Sequence, residues 1–133
     1  MHRLFLDANV LFSAAYGSTG LLRLWDLARA GEAVLLSSGY AIEEARRNLG
    51  KREQLCRLDE LVRDVTLVPE APADFSCPVA LPEKDRPVLA AAIQAGATHF
   101  LTGDLRHFGP YRGRRIDGVV ICTPRDYLTK RKE

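Results

Sequence analysis

The chain has 133 residues, 47% of them hydrophobic and 27% charged, with 19 basic against 17 acidic side chains and a formal net charge of +2. This size suits one domain, expected to occupy residues 1–133, and the balance is that of a globular, water-exposed chain. A membrane span, a secretory leader and a disulfide scaffold are all disfavoured: no apolar run nears ~20 residues, Arg3 and Asp7 interrupt the opening stretch, and Cys56, Cys77 and Cys122 are scattered and odd in number.

Leu4, Phe5 and Leu6 open the chain as a short apolar run, and similar runs recur at residues 33–36, 65–68, 99–101 and 119–121. Each has strand length and is largely apolar, as expected of strands covered on both faces. Between the first two, Leu21, Leu22, Trp25 and Ala28 fall at helical spacing, and Gly31 offers a stop. Ser37 or Ser38 caps a second helix bearing Ile42, Ala45 and Leu49. Gly50 interrupts it, and Leu55, Leu58, Leu61 and Val62 continue the period in a third. Residues 70–82 contain Pro72, Pro78 and Pro82, and read as an irregular connection. Pro87 begins and Gly96 ends a helix carrying Val88, Leu89, Ala92 and Ile93. A last short helix takes in residues 125–129.

Strands alternating with helices imply an α/β fold with parallel strands and right-handed crossovers. Ligands of such sheets bind at the carboxyl ends of the strands. Asp7 follows the first strand directly, and Asp104 follows the fourth. Glu43 and Glu44 lie in the early turns of the helix that leaves the second strand, and Asp85 begins the helix that leads into the fourth. Four carboxylates gathered at one edge repel one another. A hard divalent cation, Mg²⁺ or Mn²⁺, relieves that repulsion and activates water for attack on phosphorus. Asn9 and Thr102 are neutral neighbours able to orient a carboxylate or a water.

Each of these residues also has a plainer reading. Asp85 and Asp104 can cap helices, Asn9 and Thr102 can form turns, and His107 can be a packed or surface histidine. Basic residues collect at Arg46, Arg47, Lys51 and Arg52, and again at Arg112, Arg114, Arg115, Lys130, Arg131 and Lys132. Such clusters suit a phosphate-bearing partner or a solvated surface equally.

Four segments in order resemble the motifs of the PIN-domain ribonucleases, particularly the single-domain bacterial group that includes VapC-type toxins of toxin–antitoxin pairs. The run from Leu4 to Leu11 resembles the opening motif, an apolar strand ending in Asp-x-Asn at Asp7 and Asn9. The second motif sets a glutamate five residues before a leucine, which selects Glu44 before Leu49 over Glu43. Lys84-Asp85-Arg86-Pro87 resembles the third motif, and Thr102-Gly103-Asp104 the fourth.

The resemblance implies a three-layer α/β/α fold with a parallel five-stranded sheet in the order 3-2-1-4-5. It implies cleavage of single-stranded RNA with Mg²⁺ or Mn²⁺, leaving a 3′-hydroxyl and a 5′-phosphate. Asp7, Asp85 and Asp104 would then ligate metal, and Glu44 would ligate metal or hold the attacking water. Candidate RNA contacts are Arg46, Arg47, Arg106, His107, Arg112, Arg114 and Arg115. A cytoplasmic homodimer silenced by an antitoxin completes the expectation. Where some relatives carry a further acid, this chain has Arg106 and His107, which leaves one-metal catalysis open. The alternative reading is a non-catalytic PIN-fold module that binds RNA or protein around a structural ion. A phosphoryl-accepting receiver domain would need a lysine after the fifth strand, where Cys122 and Thr123 stand.

Overall fold

In the computed structural model, which describes residues 1–132, the apolar runs become strands of one sheet. These are β1 (His2–Leu6), β2 (Ala33–Ser38), β3 (Val65–Val68), β4 (His99–Leu101), β5 (Arg115–Ile116) and β6 (Val119–Cys122). Their order is β3-β2-β1-β4-β6-β5. Every pairing is parallel except that of β5 with β6. The five expected strands therefore stand in the expected order, with β6 as the fifth, and β5 is an addition. Its cause is local: Asp117 (φ 47°) and Gly118 (φ 86°) form a two-residue turn that folds Ile116 back onto Val119. Two successive positive φ angles match the hairpin turn that Asp-Gly favours.

Seven α-helices accompany the strands among the described residues: α1 (Ala8–Tyr16), α2 (Leu22–Arg29), α3 (Gly39–Asn48), α4 (Arg52–Val62), α5 (Arg86–Gln94), α6 (Leu105–Phe108) and α7 (Pro124–Lys132). Of these, α1 has little visible period in the sequence. Val10, Leu11, Ala14 and Ala15 are buried and Phe12 is partly so, which leaves the helix apolar on most sides.

Alternation along the strands divides the core into two layers. Leu4, Leu6, Leu35 and Leu101 pack with residues of α1, α2, α4 and α7. Phe5, Leu36, Phe100 and Ile121 face the opposite way, toward α5 and Phe108 of α6. Together with the sheet, these layers make the α/β/α sandwich. Trp25 ties α2 to α4 by donating from Nε1 to the Leu61 carbonyl at 2.9 Å. None of the helices among the described residues is long and apolar enough to cross a membrane.

Several contacts fix the carboxyl edge of the sheet. Ser37 Oγ donates to the Leu6 carbonyl at 2.8 Å, and Ser38 caps α3 by accepting from the Ala41 amide at 3.2 Å. Residues 70–82 contain no helix or strand, as expected, yet they are pinned at their far end. Tyr111 Oη donates to Ala80 O at 2.8 Å, Arg86 Nε to Leu81 O at 3.0 Å, and Tyr40 Oη to Lys84 O at 3.0 Å. The chain is thereby held on either side of the turn that delivers Asp85.

Candidate functional site

Asp7 leaves β1 and turns straight into α1, so its side chain sits where two central strands end. It is only 6% exposed. Oδ1 accepts from the Ala8 amide at 2.8 Å, while Oδ2 accepts from Thr102 Oγ1 at 2.8 Å and from Asn9 Nδ2 at 3.0 Å. Burial pushes the carboxyl up to about 6; the bonds from Thr102, Ala8 and Asn9 oppose that push, and the charge of Glu44 adds to it.

Thr102 and Asn9 are more than turn formers. Thr102 Oγ1 also accepts from the Asp104 amide at 3.0 Å and from Asn9 Nδ2 at 3.2 Å. Asn9 Oδ1 in turn accepts from the Gly103 amide at 2.6 Å. The segment after β4 is thus clasped to the segment after β1, and Asp104 is fixed relative to Asp7.

Asp104 does cap its helix, since Oδ1 accepts from the His107 amide at 3.2 Å. Its other oxygen lies 2.9 Å from His107 Nδ1. Asp85 is not a cap. Its backbone is already helical (φ −94°, ψ −15°), and its side chain makes no capping bond to α5. Oδ2 instead lies 2.8 Å from the same His107 nitrogen. Burial and then the nearby Asp104 charge raise the Asp85 pKa, against the attraction of His107.

These short contacts are poorly aligned for hydrogen bonding. They are close enough for charge attraction, yet Asp85 Oδ2 and His107 Nδ1 are both sealed from solvent with no aligned partner. Unsatisfied buried polar atoms are costly, and their pairing at one point calls for a third body. Asp85, Asp104 and His107 each present a donor atom, all within 4.8 Å of one another. Carboxylate oxygens in such a cluster fit a divalent cation.

The two glutamates of α3 part company. Glu43 is exposed, with Arg46 at 3.8 Å, whereas Glu44 is half-buried and its charge reaches Asp7. The expected RNA contacts also divide. Arg46 pairs with Asp59 at 2.8 Å, and Arg112 grips Asp126 with two bonds of 2.7 and 2.8 Å. That grip holds Asp126 at about 2. Arg114 lies over the Tyr111 ring at 5.8 Å. Arg47, Arg106 and Arg115 are exposed and have no ion pair among the described residues. His107, read from sequence as an RNA contact, is lodged between two acids. A signal for this existed: Asp104 and His107 are three residues apart, the spacing that brings side chains together on a helical turn. A cleft of about 690 Å³ between residues 70–80 and α5 contains none of the four acids.

Comparison with known proteins agrees with the architecture. VapBC2 from Rickettsia felis, solved bound to a DNA fragment from its promoter, superposes with a TM-score of 0.64 at 15% identity, covering 91% of this chain and 98% of that one. VapC20 from Mycobacterium tuberculosis, a sarcin-ricin loop cleaving toxin, gives 0.52 at 15% identity, covering 77% of this chain and 92% of that one. At this identity the two share the fold. No curated protein matches the chain significantly. The PIN domain family model matches residues 3–106, from the first strand through Asp104. The chain belongs to the PIN domain family.

Proposed function

We propose that this protein is a metal-dependent endoribonuclease that hydrolyses phosphodiester bonds in single-stranded RNA, and that it is the toxin of a toxin–antitoxin pair. The observation that carries the reading is the pair of sealed, unsatisfied atoms, Asp85 Oδ2 and His107 Nδ1, beside Asp104. A divalent cation held there, Mg²⁺ or Mn²⁺, would supply an activated water and charge neutralisation at phosphorus. Asp85 and Asp104 hold the ion. Asp7, kept in one orientation by three hydrogen bonds, offers a further carboxylate, and Glu44 serves as a ligand or positions the attacking water. Asn9 and Thr102 keep Asp7 aligned. Arg47, Arg106 and Arg115 are exposed and without ion pairs among the described residues, which leaves them available to phosphates. The toxin role draws support from the likeness to VapBC2 and VapC20. A single catalytic domain, a cytoplasmic setting, a homodimer and an antitoxin partner belong to the same reading.

Purified protein incubated with a panel of single-stranded RNAs tests it directly. Cleavage should need Mn²⁺ or Mg²⁺, stop with EDTA, and be lost in Asp7→Asn and Asp104→Asn. Cleavage that survives chelation or either substitution would refute the metal-nuclease reading. Binding without cleavage in the unsubstituted protein would favour a non-catalytic RNA-binding module.

A further inference from the structure

His107 is held in place from the core outward. Phe108, the next residue, is fully buried with its ring 5.0 Å from that of Phe100, and Phe100 stacks in turn on Phe5. The backbone amide of His107 is itself bound by Asp104 Oδ1. The imidazole therefore has little freedom to drift from the acids. A histidine present only to neutralise two carboxylates would align its N–H with one of them, because charge-assisted hydrogen bonds are the strongest available to it. Here neither oxygen is aligned, although both lie within 3 Å of Nδ1. The distances instead suit shared coordination. Adjacent donors on an octahedral ion with bonds of about 2.0–2.1 Å lie roughly 2.8–3.0 Å apart. The two spacings, 2.8 and 2.9 Å, fall in that interval.

We propose that His107 Nδ1 is a direct ligand of the site's divalent cation beside Asp85 and Asp104, making a mixed nitrogen–oxygen site that favours first-row transition ions over Mg²⁺. The proposal rests on the metal-binding reading of the acidic site and gives that site a preference. Magnesium is served best by oxygen alone, whereas imidazole suits the transition ions and gains strength along the series from Mn²⁺ to Ni²⁺. With the nitrogen supplied by a residue anchored through Phe108, the preference is built into the packing of α6 on the sheet.

The test uses metal-free full-length protein, with His107→Ala, His107→Gln, Asp85→Asn and Asp104→Asn, titrated by calorimetry with Mn²⁺, Co²⁺ and Mg²⁺. Pulsed electron paramagnetic resonance then reads the ligands of bound Mn²⁺, and circular dichroism confirms folding. Wild-type protein should show nitrogen hyperfine coupling. Both His107 variants should lose it while still binding Mn²⁺, with the Co²⁺-to-Mg²⁺ affinity ratio falling ~10–100-fold. Bound Mn²⁺ without nitrogen coupling in wild type, or coupling that persists in His107→Ala, overturns the histidine ligand and leaves a carboxylate site standing. An absence of binding, or binding indifferent to both Asp85→Asn and Asp104→Asn, overturns the metal site itself.

Discussion

Thr102 donates its hydroxyl to Asp7 Oδ2 at 2.8 Å while accepting from the Asp104 amide at 3.0 Å. One side chain thus links the acids that follow two neighbouring strands. Thr102→Val keeps the shape and removes both of these bonds together with the one from Asn9. Asp7 then loses the strongest of the bonds that oppose its raised pKa, which should climb above about 6. RNA cleavage near neutral pH should fall ~10–100-fold, with most of it retained in Thr102→Ser. Carboxyl NMR titration and rate–pH profiles of the two variants measure this.

Asp7 and His99 oppose each other in how stability depends on pH. Asp7 titrates from 3.8 in the unfolded chain to about 6 in the fold. Within that window the folded protein binds the extra proton, so stability falls as pH rises and stays lower above it. At ~1.4 kcal/mol per unit, the effect is on the order of 3 kcal/mol. Burial, helped by His2, Arg115 and Lys130, lowers His99 from 6.5 to about 4. Its contribution is intact above the unfolded value and is lost as pH falls toward 4. In metal-free protein, Asp7→Asn should remove this slope, so that stability falls more steeply on acidification. His99→Gln should leave the Asp7 slope exposed. Urea titrations in EDTA across this range read both.

The arginines should separate in their salt dependence. Substituting Arg47, Arg106 or Arg115 by Ala is expected to weaken RNA binding and to flatten the log–log salt slope by about 0.7 for each phosphate left without its arginine. Arg112→Ala breaks an ion pair with Asp126 and should leave the slope unchanged. Fluorescence anisotropy at several salt concentrations distinguishes the groups. Unchanged slopes throughout would return all of them to the solvated surface.

Gly103 has a steric reason to lack a side chain. A Cβ there would stand 3.2 Å from Asn9 Oδ1, the atom that accepts from the Gly103 amide. Gly103→Ala should push Asn9 aside and loosen its grip on Asp7, lowering cleavage several-fold with little change in thermal stability. Asn9→Ala should show a similar loss, and the double variant should add little to either. Equal, additive losses would mean that Gly103 acts elsewhere.

Strands proved easy to read because both faces of the central parallel strands are covered, so Leu4 to Leu6 and residues 33–36 stand out as unbroken apolar runs. The helix α1 was hidden by the same burial, since apolar residues around most of its surface erase the amphipathic period. The β5 hairpin was legible in Asp117-Gly118 but is carried by only two residues of strand. At the site, Asp7 and Asp104 follow from strand ends alone. The surroundings of His107 do not, because they depend on where α5 and the pinned connection bring Asp85. Arginine pairing was equally out of reach: Arg112 and Asp126 are 14 residues apart and meet only through the packing of α7.

The Asp117-Gly118 turn has a consequence for the sheet as a whole. It borders the sheet on one side with a two-residue antiparallel strand that begins at the exposed Arg115, and brevity and charge both discourage a foreign strand from pairing there. The opposite border is β3, where Thr66 and Leu67 are exposed and no further strand lies alongside among the described residues. Template-driven growth of this sheet is therefore directional: it is discouraged more at the hairpin than at β3.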